Sequence, residues 1–221
     1  MRRIETLDHV YQGLDALCAT DRRLVRVREV AGEVPLRLSE PGFRSLASII
    51  VSQQVSRASA DAIFGRLTGL VDPLDAEGVL IAGDDIFREA GLSRPKQRTL
   101  LALAEAVANA GLDLHHLCRL DPADAMRALT AVHGIGAWTA EVYLLFAAGH
   151  PDIFPARDVA LQTAVGHALA IEPRPGEKAL IKLAESWSPW RGVAARLFWA
   201  YYRETRGRDA APIAPVSPSP A

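Results

Sequence analysis

The chain has 221 residues, 25 basic against 26 acidic for a formal net charge of −1, and 49% of it is hydrophobic. That size suits one sizeable domain or two small lobes around a cleft, and with no run of 18 apolar residues a helical membrane span is excluded. Only two cysteines, Cys18 and Cys118, occur, in unrelated contexts, which excludes a four-thiolate or iron–sulfur cluster.

The opening stretch MRRIETLDHVYQGLDALC mixes arginines with acids and lacks the unbroken apolar core of a secretory signal. The expected compartment is the cytoplasm, at the nucleoid if the source is bacterial. Strand signals are scarce and the 3.6-residue period recurs throughout, so the expected class is all-α. A first helix is predicted over 6–19, and a second over 43–54, where Phe43, Leu46, Ala47 and Ile50 share one face. Ser56 then caps a third. After VDPLDAEGVLIAG, the Ala- and Leu-rich segment 95–110 closes at Gly111, and Asp121-Pro122 starts another helix as cap and first residue. Helices at 136–147, 158–170, 176–187 and 189–205 complete a predicted domain of residues 1–206 with no separate sheet domain. Residues 207–221, GRDAAPIAPVSPSPA, hold four prolines and almost no large apolar group, and are expected to be a disordered tail.

One junction stands out: LTAVHGIGAWTAE, residues 129–141, places Gly-Ile-Gly between two helices. A short turn between antiparallel helices needs positive φ, which glycine supplies at no Cβ cost. The same turn exposes backbone N–H groups at the start of the second helix, and these with the helix dipole form a site for a phosphate. The plainer reading is an ordinary αα-hairpin turn.

The residues around the turn decide between these. LTAVHGIGAWTAEVYLL resembles the helix-hairpin-helix element of base-excision DNA glycosylases, and DIFPARDVALQTAVG resembles the segment that carries their catalytic aspartate. SIIVSQQVSRASADAIFGRL at 48–67 is similar to the Ile-x-x-Gln-Gln stretch of the 3-methyladenine DNA glycosylase II branch, with a weaker match in AGLSRPKQRTLLALA at 90–104. The likeness runs from about residue 40 to 203. It implies two helical lobes flanking a DNA-binding cleft, with the hairpin on its rim. It further implies excision of alkylated bases of the 3-methyladenine and 7-methylguanine type from duplex DNA by a monomer, in base excision repair, with no cofactor.

By that resemblance Asp158 is the catalytic carboxylate, placed where a helix dipole favours its charged form; the plain alternative is an N-cap. A carboxylate beside the sugar stabilises the cation formed as the C1′–N bond breaks, and a cationic alkylpurine leaves without a dedicated general acid. Trp138 stands where lyase relatives carry a nucleophilic lysine, so the resemblance implies hydrolysis alone, leaving an abasic site. Its indole can stack on an electron-poor base, or simply pack in the core. Trp199 falls opposite the stripe of Trp190, Val193, Ala194, Leu197 and Tyr201, so it belongs either to the base pocket or to a second packed face. Tyr143 and Phe146 are candidate pocket wall, although a helix apolar all round, as 137–148 is, usually means core, and Val142 replaces the aromatic of the best-known relatives, implying a wider or differently shaped pocket.

Base flipping leaves a gap that a side chain must fill, and the resemblance assigns that wedge to Gln54 or Val55, with Gln53 supporting the loop; unaided, adjacent glutamines read as solvated loop. It places His133, Gly134, Ile135, Gly136 and Thr139 against DNA. The carbonyls of Thr130, Val132 and Ile135 are expected to hold a monovalent cation. Arg94, Lys96 and Arg98 are expected phosphate contacts, or else ordinary solvated helix charges. A net charge near zero is not the basic footprint of a nucleic-acid binder. Two alternatives therefore stay open: a non-catalytic helix-hairpin-helix module, and a glycosylase for another damaged base.

Overall fold

A computed structural model describes residues 3–212, and every regular element among them is helical. The chain divides into two compact units, one from the segments up to Leu38 and from Gly149 onward, the other from Ser39–Ala148.

The first unit is built around its last helix. Its elements are α1 (Leu7–Thr20), α2 (Arg23–Ala31), α10 (Val159–Ala168), α11 (Glu177–Ala184), a 3₁₀ turn at Glu185–Trp187, and α12 (Arg191–Arg206). Every residue of α12 from Gly192 to Tyr202 is buried, because α1, α2 and α10 all pack on it. The apolar stripe expected on α12 is therefore only one part of its buried surface. The face opposite that stripe, carrying Trp199, is covered as well. The helix α2 was not expected. Only Leu24, Val27 and Ala31 of its nine residues are buried, and the charges between them dilute the period. Trp187 stacks between Phe154 and Phe198, at centroid distances of 5.5 and 5.2 Å, and its indole donates to Asp21 Oδ2 at 3.1 Å.

The second unit holds α3 (Phe43–Ser52), α4 (Arg57–Leu70), α5 (Ala76–Glu89), α6 (Arg94–Ala108), the single turn α7 (Leu114–Leu117), α8 (Pro122–Thr130) and α9 (Ala137–Phe146). Helix α3 lies against α4, α6 and α9, while α5 pairs with α6 and α8 with α9. Ser56 caps α4 and Asp121 caps α8, as their residue types predict. The helix α5 was not anticipated in the stretch with two glycines. Asp75 starts it by accepting from the Gly78 amide at 2.8 Å, and Gly83 at φ +75° kinks it.

The expected tail begins later than Gly207. Asp209 pairs with buried Arg37 at 2.8 Å, and Ala211 is 1% exposed, so packing onto the first unit continues past α12. The remainder of the predicted tail, residues 213–221, lies outside the described residues.

Candidate active site and nucleic-acid interface

The hairpin turn between α8 and α9 is anchored from below and bare on top. Val132 and Ile135 are buried, and the Ile135 amide donates to the Val132 carbonyl at 3.1 Å, closing the turn. His133, Gly134 and Gly136 face outward. The two glycines serve different ends. Gly134 sits at φ +82°, and a Cβ there would lie 1.9 Å from Thr99 Oγ1 on α6, so both backbone conformation and contact demand glycine. Gly136 has an ordinary φ of −89°, and nothing lies within 4 Å of a Cβ built on it. No fold requirement explains that residue; an open space before the first turn of α9 does. No side chain caps α9, so its leading amides stay available to an outside acceptor. Among the described residues, the carbonyls of Thr130 and Ile135 receive no hydrogen bond and that of Val132 receives only the one from Ile135. These oxygens suit a hard monovalent cation better than a transition metal.

The Gln-Gln loop follows α3, which ends two residues earlier than the periodicity implied. Gln54 occupies the left-handed region at φ +56°, an uncommon conformation for a residue with a Cβ, and with Val55 it is exposed. Gln53 turns inward, and its amide donates to Thr139 Oγ1 on α9 at 2.7 Å. The expected support role of Gln53 thus has a partner, and the loop is tied to the hairpin's second helix. Thr139, expected against DNA, is 2% exposed and is that tie.

Three further expectations change. Lys96 is no free phosphate contact: its ammonium donates to the Val51 carbonyl at the end of α3 at 2.7 Å, and burial lowers its pKa. Tyr143 is not pocket wall. Its ring is 0% exposed, its hydroxyl accepts from the Gly42 amide at 2.8 Å and donates to the Leu114 carbonyl at 3.3 Å, and burial pushes the phenol well above its ordinary range. Phe146 and Val142 are equally enclosed, so Val142 opens no wider pocket within this unit. An apolar helix packed by its neighbours buries most of its surface, and on α9 only Ala137, Trp138 and Glu141 stay partly open.

In the first unit, Asp158 is 8% exposed and caps α10, with Oδ1 accepting from the Leu161 amide at 2.9 Å. The indole N–H of Trp199, 1% exposed, reaches the same oxygen at 3.4 Å. Trp138 is half-buried at the start of α9. The turn that presents Asp158 is fixed by its own backbone: the Ala156 amide donates to the Phe154 carbonyl at 2.8 Å and the Asp158 amide to that of Pro155 at 2.9 Å. Gln162, missed in the residue pattern, is buried and donates to the Ala156 carbonyl at 2.9 Å. Its position four residues after Asp158, on the same helix face, is the signal that was available. The N-cap reading of Asp158 is thus correct, and it is compatible with the catalytic one, because accepting a cap bond favours the charged form of the carboxylate.

Residues 47–189 match the model of the HhH-GPD superfamily of base excision DNA repair proteins. The chain belongs to this superfamily. It is 27% identical over 162 residues to a DNA-3-methyladenine glycosylase of Schizosaccharomyces pombe, covering 71% of each protein. Among solved structures it is similar to a Schizosaccharomyces pombe 3-methyladenine DNA glycosylase in complex with abasic DNA, with a TM-score of 0.80 at 25% identity over 88% of this chain and 97% of that one. It is also similar to a DNA-3-methyladenine glycosidase of Bacillus halodurans, with a TM-score of 0.76 at 31% identity over 94% and 95%. The all-helical HhH-GPD fold was thus correctly read from its motifs. Among the described residues no helix is long and apolar enough to cross a membrane.

Proposed function

We propose that this HhH-GPD protein is a monofunctional DNA glycosylase that hydrolyses the N-glycosidic bond of alkylated purines in duplex DNA, leaving an abasic site for base excision repair. The observation that carries the reading is Asp158, a nearly buried carboxylate on a rigid turn, oriented by the Leu161 amide and the Trp199 indole. A carboxylate fixed in that way stabilises a developing sugar cation without reorganising during the reaction. The bare amides of α9 take a backbone phosphate, and the carbonyls of Thr130, Val132 and Ile135 hold a monovalent cation that adds positive charge at the same turn. Gln54, held in its left-handed turn, is the wedge that replaces the flipped base, and the half-buried Trp138 offers its π-face to the cationic base. The protein works as a monomer in the cytoplasm, at the nucleoid of a bacterial source.

Incubation with duplexes carrying methylated, ethenylated, deaminated and oxidised bases tests the proposal. Release of 3-methyladenine or 7-methylguanine is expected, with strand breaks appearing only after alkali or heat. Because Trp138 cannot form a Schiff base, borohydride should trap no protein–DNA adduct. Binding to abasic duplex without release of any base would leave a non-catalytic module, and release of oxidised bases alone would move the substrate class.

A further inference from the structure

On the second unit, α5 and α6 line an open cleft of about 390 Å³ bordered by Asp84, Arg88, Arg94, Gln97, Arg98 and Leu101. Three guanidinium groups meet one carboxylate there, in a chain whose acidic residues outnumber the basic ones. Arg88 also pairs with Asp85 on its own helix. Among the described residues Arg94 and Arg98 make no ion pair. The floor is rigid: Gln97 is 7% exposed and its amide donates to the Leu92 carbonyl at 2.7 Å, while Arg66 donates to that of Ala90 at 3.1 Å. A concave, braced cluster of planar donors suits a phosphate, whose oxygens each accept from a guanidinium.

We propose that Arg88, Arg94 and Arg98 form a seat for a phosphodiester of the DNA flanking the lesion. The inference rests on the glycosylase reading above. Residues 94, 97, 98 and 101 recur at helical spacing and share one side of α6. Thr99, which fills the space against Gly134, and Lys96, which holds the end of α3 below the Gln-Gln loop, project from the other side. The seat and the hairpin are therefore separated by the width of a helix, roughly 10 Å, or about three base pairs at 3.4 Å each. The contact then falls on flanking duplex. Asp84 and Asp85 oppose the anion and limit its strength.

The test compares binding of the full-length protein to two abasic-analogue duplexes across a range of salt concentrations, a long one of about 25 base pairs and a short one that ends about two base pairs from the analogue on each side and is closed by an uncharged linker, since each neutralised phosphate contributes about 0.9 to the log–log slope. For Arg94→Gln/Arg98→Gln, the slope on the long duplex is expected to shrink by about one unit, with roughly tenfold weaker binding near 0.1 M salt, and the short duplex to be unaffected. Arg94→Lys/Arg98→Lys should keep the wild-type slope, and matching melting temperatures separate binding from folding. Equal slopes for wild type and the glutamine variant on both duplexes overturn the proposal. So does an equal loss on both, which would place the arginines at the lesion. Titration with inorganic phosphate covers the other source of the ligand: binding lost in the glutamine variant with DNA slopes unchanged assigns the seat to a free phosphate and overturns the DNA assignment. Excision by the wild type on the long duplex is scored separately, so the enzyme reading can fail or stand independently of the seat.

Discussion

Two helix starts, one in each unit, solve the same electrostatic problem in opposite ways. Both α9 and α10 begin with amides that no helical carbonyl can satisfy. At α10 the chain supplies its own anion: Asp158 folds back onto the Leu161 amide and is nearly buried. At α9 the corresponding residue is Gly136, which has no side chain, and open space surrounds it. A capped helix start holds its carboxylate in place, whereas an uncapped one leaves its leading amides open to an outside acceptor. Each start also has its own buried support: Trp199 and Gln162 for Asp158, Thr99 and the Gln53–Thr139 tie for the hairpin.

The most severe way to break the comparison is at α10. Asp158→Asn still caps the helix but removes the charge that the proposed mechanism sets against the sugar cation, so excision should fall on the order of 10²–10³-fold. Binding to an abasic-site analogue should stay within a few fold, and the preference for a cationic sugar mimic over a neutral one should vanish. Wild-type excision by a folded Asp158→Asn protein would reduce this carboxylate to a cap.

At α9 the two glycines should part company. Gly134→Ala forces a Cβ into Thr99 at a positive φ and is expected to cost about 2–4 kcal/mol of stability by denaturant unfolding. Gly136→Ala should change stability by less than about 0.5 kcal/mol and yet weaken DNA binding several-fold. Loss of stability in both variants would remove the distinction between a packing glycine and a binding one.

Acid should sharpen the difference between the units. Burial of Asp152 raises its carboxyl, but hydrogen bonds from Arg191 and Ser188 outweigh that and hold it below the ordinary 3.8. Such a lowered pKa contributes stability that is complete above the unfolded value and fades as pH falls through the folded one. Asp152→Asn should cost about 1–3 kcal/mol near neutrality, and its stability should decline less than that of the wild type below about pH 4. Hydrogen exchange along the first unit measures it.

The smallest effect on excision is expected at Tyr143. Removing its hydroxyl in Tyr143→Phe strands the Gly42 amide and the Leu114 carbonyl, costing about 1–2 kcal/mol, while the excision rate of the folded variant is unchanged. A changed substrate range in this variant would restore Tyr143 to the pocket.

Residue order alone carried the helical class, most helix starts, the hairpin and the Asp158 cap. These rest on local chemistry: a cap side chain reaches its own helix's amides within three residues, and a glycine turn is written in adjacent letters. Helices α2 and α5 escaped because tertiary burial of three side chains each, not a long apolar period, holds them in place. The roles of Lys96, Thr139 and Tyr143 were decided only by packing, since their partners Val51, Gln53, Gly42 and Leu114 lie 29 to 101 residues away. A polar side chain spends its hydrogen bonds on whichever buried group needs them, and only the folded chain places that group beside it.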